Sequence, residues 1–291
     1  MKVLNYGSLN VDYVYSVDHI IVGGETQHSS KLEVFSGGKG LNQSIALAKA
    51  GVPVYHAGIV GTDGDILLEA CKEAGVNTKY IRRLPVKGGH TMIQVDKNAQ
   101  NCIILYGGTN QMQTKEFVDE VLADFGEGDY LMLQNEINML DYIIDQAYEK
   151  KMKIVMNPSP FDDKLSTCDL SKVYLFLVNE IEGEQITGCK DKDQILDAMA
   201  ARFPNARFVL TLGSDGAVYY DGKEKVFQDI FKVKAVDTTA AGDTFTGYFI
   251  AAVIEGRSIQ EALRMAAKAS SIAVSRPGAT PVSYTHLTLP T

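Results

Sequence analysis

The sequence predicts an α/β protein: a doubly wound, mostly parallel sheet with helices on both faces, plus a small β-sheet lid. Three observations carry that expectation. From Val54 onward, short apolar runs alternate with stretches of helical period, which is how a parallel sheet with helical crossovers reads. Two stretches, about 12–36 and 91–106, show β-leaning residues and no helical period, so they form extra strands apart from that alternation. Polar residues fall at or just after expected strand ends: Asn10, Glu136, Asn157, Asn179, Thr211 and Asp237. Open α/β sheets bind their ligands beyond the carboxyl ends of the strands.

Taken in order, Lys2 to Tyr6 is a first buried strand ending at Gly7, and Ser8 to Asp12 is a turn. Val14, Val17 and Ile20, then Leu32, Val34 and Phe35, mark the first lid strands around Gly23-Gly24-Glu25-Thr26. A helix runs from Asn42 to Ala50 and stops at Gly51. Val54–Val60 is a strand, 64–74 a helix and 80–84 a short strand; Thr91, Ile93 and Val95 alternate before Cys102–Tyr106. Helices over 115–125 and 139–150 alternate with strands at Tyr130–Gln134 and 153–156. A strand at 173–178, a helix at 193–203 and a strand at 208–212 follow, then a hairpin of 218–220 with 225–228. Phe231 to Val236 is a last apolar, β-leaning run before the nine residues Asp237 to Phe245, and a helix from Ile259 to about Val274 closes the pattern. One domain over 1–281 is expected, with residues 282–291 a tail of no helical or strand period, foreign to the domain or disordered.

With 291 residues, 45 % of them hydrophobic, the chain is long enough for one large α/β domain with an appendage. A net charge of −8 argues against a nucleic-acid surface, which needs basic patches. Backbone dipoles and Mg²⁺ still allow such a protein to bind ATP. The four cysteines form no CxxC pair and read as reduced core thiols. The first residues open a strand without a signal region, and no apolar run has the length of a membrane span, so a cytoplasmic location is expected. The five histidines are isolated, with no HExxH, and there is no G-x-S-x-G elbow, so zinc and serine hydrolases are set aside.

The stretch Asp237-Thr-Thr-Ala-Ala-Gly-Asp-Thr-Phe245 holds the chemistry. Ala240, Ala241 and Gly242 let a ligand approach the backbone, and the first-turn N–H groups of the helix that follows form a ready anion site. Asp243 stands there either as a base that takes a proton from a hydroxyl or as a helix cap. Ser36-Gly-Gly-Lys-Gly-Leu-Asn42 is a second glycine loop before a helix; it lacks the spacer and the Ser or Thr of a Walker A loop. It is either a polyol-binding loop or a flexible turn with a solvated Lys39. Asn10 and Asp12, two apart, share a face in extended backbone and suit sugar hydroxyls or a plain turn.

Asn10-Val-Asp12, Gly37-Gly-Lys-Gly-Leu-Asn42, Asn179-Glu-Ile-Glu182, Thr211-Leu-Gly-Ser-Asp-Gly216 and Asp237-Thr-Thr-Ala-Ala-Gly-Asp243 together resemble the ribokinase family of small-molecule sugar kinases, in the family's order and over about residues 1–281. The resemblance implies a ribokinase-like fold and ATP-dependent phosphorylation of a sugar hydroxymethyl group, D-ribose first among acceptors. It makes Asp243 the base and the amides of Ala240, Ala241, Gly242 and Asp243 the anion hole. It gives Asn10, Asp12, Gly38, Lys39, Asn42 and Glu136 to the sugar. Asn179, Thr211, Gly213, Ser214, Gly216 and Gly242 go to the nucleotide, with Asn179 and Glu182 ordering Mg²⁺ through water. A monovalent cation, K⁺, is implied at Asp237 and Thr239 on one side and Ala273, Arg276 and Gly278 on the other; Val282 departs from the serine usual there. The partners implied are a small sugar and ATP, neither nucleic acid nor membrane, and a second copy through the lid sheet. A nucleoside or fructose as acceptor, and a non-catalytic sugar-binding regulator, are the alternatives.

Overall fold

The computed structural model describes residues 1–98 and 100–276; Gly278, Val282 and the tail from 282 onward lie outside the described residues. The chain opens with β1 (Val3–Tyr6), then β2 (Asn10–Ser16), β3 (Lys31–Gly37) and α1 (Lys39–Lys49). Next come β4 (Val54–Val60), α2 (Asp65–Ala74), β5 (Asn77–Arg83), β6 (Gly89–Val95) and β7 (Asn101–Tyr106). The regular part runs α3 (Lys115–Leu122), β8 (Tyr130–Gln134), α4 (Leu140–Glu149), β9 (Lys153–Asn157), β10 (Leu175–Asn179), α5 (Glu180–Thr187), α6 (Lys192–Arg202) and β11 (Arg207–Thr211). A hairpin of β12 (Ala217–Tyr220) and β13 (Lys225–Gln228) precedes α7 (Ala241–Ile254) and α8 (Ile259–Val274).

Among the described residues nine strands form one sheet in the order β13-β12-β11-β10-β9-β8-β1-β4-β5, parallel except at the β12–β13 edge. The inner strands are apolar at nearly every position because both faces are covered. Val3, Met132, Val155, Leu177 and Val209 join one core with residues of α1, α2, α7 and α8. Their strand neighbours Leu4, Leu131, Ile154, Phe176 and Phe208 join the other, with α3, α4 and α6. The order reverses at β1, which has β4 on one side and β8 on the other. That switch point is where a doubly wound sheet opens a crevice.

The two helix-free stretches build a separate four-stranded sheet, β3-β2-β6-β7. Leu32, Val34, Phe35, Met92, Ile103, Ile104, Leu105 and Tyr106 are exposed on it. No helix of the described residues is long and apolar enough to cross a membrane.

Four expectations need correction. The turn read over Ser8–Asp12 ends at Leu9, because Asn10 already pairs with Gly37 and Gly89 as the first residue of β2. Phe231–Val236 is not a strand: the run is largely exposed, and the amides of Val236 and Asp237 bond Val274 O at the end of α8 (2.7 and 3.1 Å) rather than a ladder partner. Asp237 therefore does not follow a strand end. Helix α1 starts at Lys39, three residues early, because close packing of Gly40 on the end of β1 outweighs glycine's low helix propensity. Of the four free cysteines, only Cys71 lies in the core, and Cys102 is exposed.

Candidate active site

The site starts from how β1 ends. Gly7, Ser8 and Leu9 lead from it into β2, and α1 is laid directly against this turn. Leu41 N–H donates to Ser8 O (3.0 Å) and Gly40 N–H to Ser8 Oγ (3.2 Å). A Cβ on Gly40 would sit 2.6 Å from the Gly7 carbonyl carbon, so only glycine allows this approach. Gly38, the N-cap of α1, has φ 93°, a backbone conformation that also calls for glycine. The glycine loop thus places the first turn of α1 at the switch point of the sheet.

Asn10 and Asp12 open β2, paired with Gly37 and Phe35 of β3 and with Gly89 and Thr91 of β6. Asn10 Oδ1 accepts from Asn110 Nδ2 (2.7 Å), and Asp12 Oδ1 accepts from Thr91 Oγ1 (2.6 Å). Burial pushes the Asp12 carboxyl above its usual range, with the Thr91 bond working the other way. Glu136, just after β8, accepts from Ser8 Oγ and from Lys39 N–H (3.0 Å). Burial raises its pKa as well, opposed by Ser8 and by the Lys39 charge. Asn10, Gly38, Lys39 and Glu136 therefore meet around Ser8, with Asp12 lying over Gly37.

Asp243 reaches the same place from α7. Ala240, the N-cap, is in the left-handed region at φ 54°, a strained conformation for a residue with a Cβ. The Ala241 N–H closes on Thr238 O (3.3 Å), while those of Gly242 and Asp243 have no partner within their own helix. The Asp243 side chain does not cap α7. It turns to α1 instead, accepting from Gln43 Nε2 (2.9 Å) and Asn42 Nδ2 (3.3 Å). Helix α7 is buried on all sides from Asp243 to Ala252, so the carboxylate is held in a packed wall. Burial pulls the Lys39 ammonium down, but the Asp243, Glu136 and Glu182 carboxylates outweigh it and hold its pKa above the usual lysine value.

A cavity of about 260 Å³ opens beside these groups, lined by Lys39, Asn157, Asn179, Glu182, Thr211 and Ala240 to Asp243. Asn179 and Glu182 form a capping box on α5: Asn179 N–H donates to Glu182 Oε2 (3.0 Å) and Glu182 N–H to Asn179 Oδ1 (2.9 Å). Among the described residues no cluster of three or more His, Cys, Asp or Glu could grip a metal directly. Glu182 still presents a carboxylate to the cavity, which fits an ion held through water. Gly213, Ser214 and Gly216 lie in and after a short turn beyond β11 and are not part of the cavity wall. Asp237 Oδ1 accepts from Thr239 N–H (2.8 Å), and this turn is tied to Val274 O beside Ala273 and Arg276. A carboxylate next to helix-terminal carbonyls is a hard-oxygen donor set that fits K⁺.

Lys39, Asn179, Glu182, Thr211 and Ala240 to Asp243 share one cavity, and the groups that support them are absent from the sequence expectations. Buried Gln43 holds Asp243 and is itself held by buried Gln134, and Asn110 holds Asn10. A glutamine ending the apolar strand Tyr-Leu-Met-Leu-Gln134, or following Asn42 into a helix core, was the available signal.

The pattern of the family described as pfkB family carbohydrate kinase matches residues 1–285. A ribokinase of Haemophilus influenzae is 33 % identical over 286 residues, 94 % of this chain and 92 % of that protein. A deoxyribokinase of Salmonella typhi is 28 % identical over 287 residues, 96 % of this chain and 94 % of its own. The solved structure of Arabidopsis thaliana ribokinase complexed with ribose and ATP matches with a TM-score of 0.86 at 28 % identity, covering 98 % of this chain and 97 % of that one. With a helix start, a buried carboxylate and a lysine brought together at the switch point of a doubly wound sheet, the chain belongs to the pfkB family of carbohydrate kinases and is an ATP-dependent sugar kinase.

Proposed function

We propose that the enzyme passes the γ-phosphoryl group of ATP to the hydroxymethyl oxygen of D-ribose, giving ribose 5-phosphate and ADP. The observation that carries this reading is the placement of Asp243: a buried carboxylate on the first turn of α7, held from α1 rather than capping its helix. Asp243 takes the hydroxymethyl proton; the freed oxygen bonds to the γ-phosphorus as the bond to the β–γ bridging oxygen breaks, and ADP leaves. The amides at 240–243 face the charge that builds on the transferred group. Asn10, Asp12, Gly38, Lys39, Asn42 and Glu136 hold the sugar, and their all-polar character favours a pentose over a nucleoside base. Asn179, Thr211, Gly213, Ser214, Gly216 and Gly242 hold the nucleotide. Mg²⁺, ordered through water by Asn179 and Glu182, would neutralise phosphate charge when bound. K⁺ at Asp237, Thr239, Ala273, Arg276 and Gly278 would steady the anion-hole turn.

Residues 1–281 act as one domain whose four-stranded sheet closes over the sugar and keeps water from the phosphoryl group. The exposed apolar residues of that sheet support its use as a homodimer contact. Four free thiols suit a reducing cytoplasm. The test is ADP release over a panel of D-ribose, 2-deoxyribose, fructose and adenosine. D-ribose should show the highest kcat/KM; a higher value for adenosine would move the enzyme to the nucleoside kinases, and one for 2-deoxyribose to the activity of its deoxyribokinase relative.

A further inference from the structure

We propose that Gln43 is the residue that positions the Asp243 carboxylate for proton transfer, and that Gln134 in turn sets the orientation of Gln43. This rests on the reading of Asp243 as the base. Gln43 is buried in the second turn of α1, and its amide is engaged on three sides. Nε2 donates to Asp243 Oδ1 (2.9 Å) and to Asn157 Oδ1 (3.3 Å), while Oε1 accepts from Gln134 Nε2 (2.7 Å). A carboxamide can sit either way round, so the way it faces has to come from its neighbours.

Here both ends of the chain of bonds terminate on backbone carbonyls, which only accept. Asn157 Nδ2 donates to Leu177 O (2.9 Å), so Asn157 Oδ1 must face Gln43 as an acceptor. Asn5 Nδ2 donates to Gly40 O (2.8 Å), so Asn5 Oδ1 must accept from Gln134 Nε2 (3.0 Å). Gln134 Nε2 then points at Gln43 Oε1, and Gln43 can turn only its N–H groups toward Asp243. A flipped Gln43 would set acceptor against acceptor at two places and donor against donor at a third.

The arrangement is held against a cost. Gln134 Oε1 is buried with no hydrogen-bond partner among the described residues. Turning the Gln134 amide would redirect that oxygen and at once remove the donor that orients Gln43. For catalysis the consequence is asymmetry: Oδ1 of Asp243 is tied by Gln43, and among the described residues Oδ2 keeps only the longer bond from Asn42 (3.3 Å), which an incoming hydroxyl can replace. The charged groups facing Asp243 are Lys39 on α1 and Glu136 after β8, with Glu182 of α5 acting on Lys39.

Gln43→Met keeps the length of the side chain and removes the amide. It should lower kcat by roughly 10- to 100-fold with KM for sugar and ATP within about threefold, since a base released from its orientation loses near-attack geometry and not binding. Gln43→Glu keeps the shape and the bond from Gln134, and sets a carboxylate against Asp243. The acid limb of its kcat/KM profile should move up by about one pH unit or more. Gln134→Met should lower kcat in the same direction and by less. A purely structural Gln43 would instead lower the melting temperature and leave turnover per folded molecule and the acid limb in place, and a folded Gln43→Met behaving so overturns the proposal. If Gln43→Met does not fold, an unmoved acid limb in Gln43→Glu overturns it. Asp243→Asn measured beside them separates the two levels: near-normal turnover there sinks the base itself, whereas an inactive Asp243→Asn with an unaffected Gln43→Met sinks only the positioning role.

Discussion

Replacing Asp243 by Asn has two consequences of different size, and both follow from the contacts of the carboxylate. Gln43 Nε2 still finds an oxygen at the Oδ1 position, so that bond survives. At the Oδ2 position an NH₂ group would face Asn42 Nδ2 across 3.3 Å, donor against donor, in a buried setting. Losing that one charge-assisted bond costs about 1–2 kcal/mol. For a chain of this size the melting temperature should fall by roughly 2–8 °C, taking ~2–4 °C per kcal/mol. Activity should fall much further: a general base contributes ~10²–10⁴-fold, about 3–5 kcal/mol of barrier. ATP binding should hold or tighten, because a negative charge near the γ-phosphate is gone. The assay is kcat and KM for both substrates together with thermal unfolding of the same preparation. A folded mutant turning over at near-normal rate would refute the assignment of Asp243 as base.

Three other outcomes are expected. His56 is fully buried between Ser44 Oγ and Gly7 O, and burial lowers its pKa from 6.5 to about 4. The unfolded chain therefore binds that proton more readily as pH falls below about 6.5, so stability should drop by about 2 kcal/mol between pH 7.5 and pH 5. Urea unfolding at both values checks this, and His56→Gln with an unchanged pH dependence would contradict it. Exchanging Na⁺ for K⁺ at constant ionic strength should raise kcat in wild type and not in Asp237→Ala; equal rates in the two salts would remove the cation from the reading. Light scattering should find a dimer that Ile104→Lys converts to monomer, and a wild-type monomer at micromolar concentration would end the lid-contact proposal.

The main sheet was legible because strands buried on both faces write themselves as unbroken apolar runs. Tyr130–Gln134 agrees with its sequence-based bounds at both ends, and the remaining inner strands differ by a few residues at most. The small sheet was legible for the opposite reason, as β-leaning residues where a helical period is missing. Phe231–Val236 misled because composition says what a segment prefers and not whether a ladder partner is within reach; its last amide is claimed by the end of α8. Lys39 and Gly40 misled in the other direction. A run of glycines reads as loop, yet here one glycine is what brings a helix start onto the end of β1.

Within the site, the motifs name residues that the fold makes neighbours, without separating groups that could face a reaction from those that hold them. Asn42 and Gln43 stand side by side in one string, and both donate to Asp243. Asn42 makes the longer bond, to the oxygen that the proposed mechanism leaves for substrate. Gln43, 200 residues from Asp243 in the chain, makes the shorter one and is itself oriented by Gln134, another 91 residues away from it. Asn179 and Glu182 blur the distinction further, since one pair of side chains caps α5 and also lines the cavity. A capping box is enough to account for Asn-x-x-Glu before a helix, so sequence alone gives that motif a structural reason to exist. What adds a second reason is the parallel register that sets Asn179 of β10 beside Thr211 of β11, and the start of α7 that closes the same cavity. Chemistry at such a site is a property of strand ends made neighbours by topology, and topology is what a short motif does not encode.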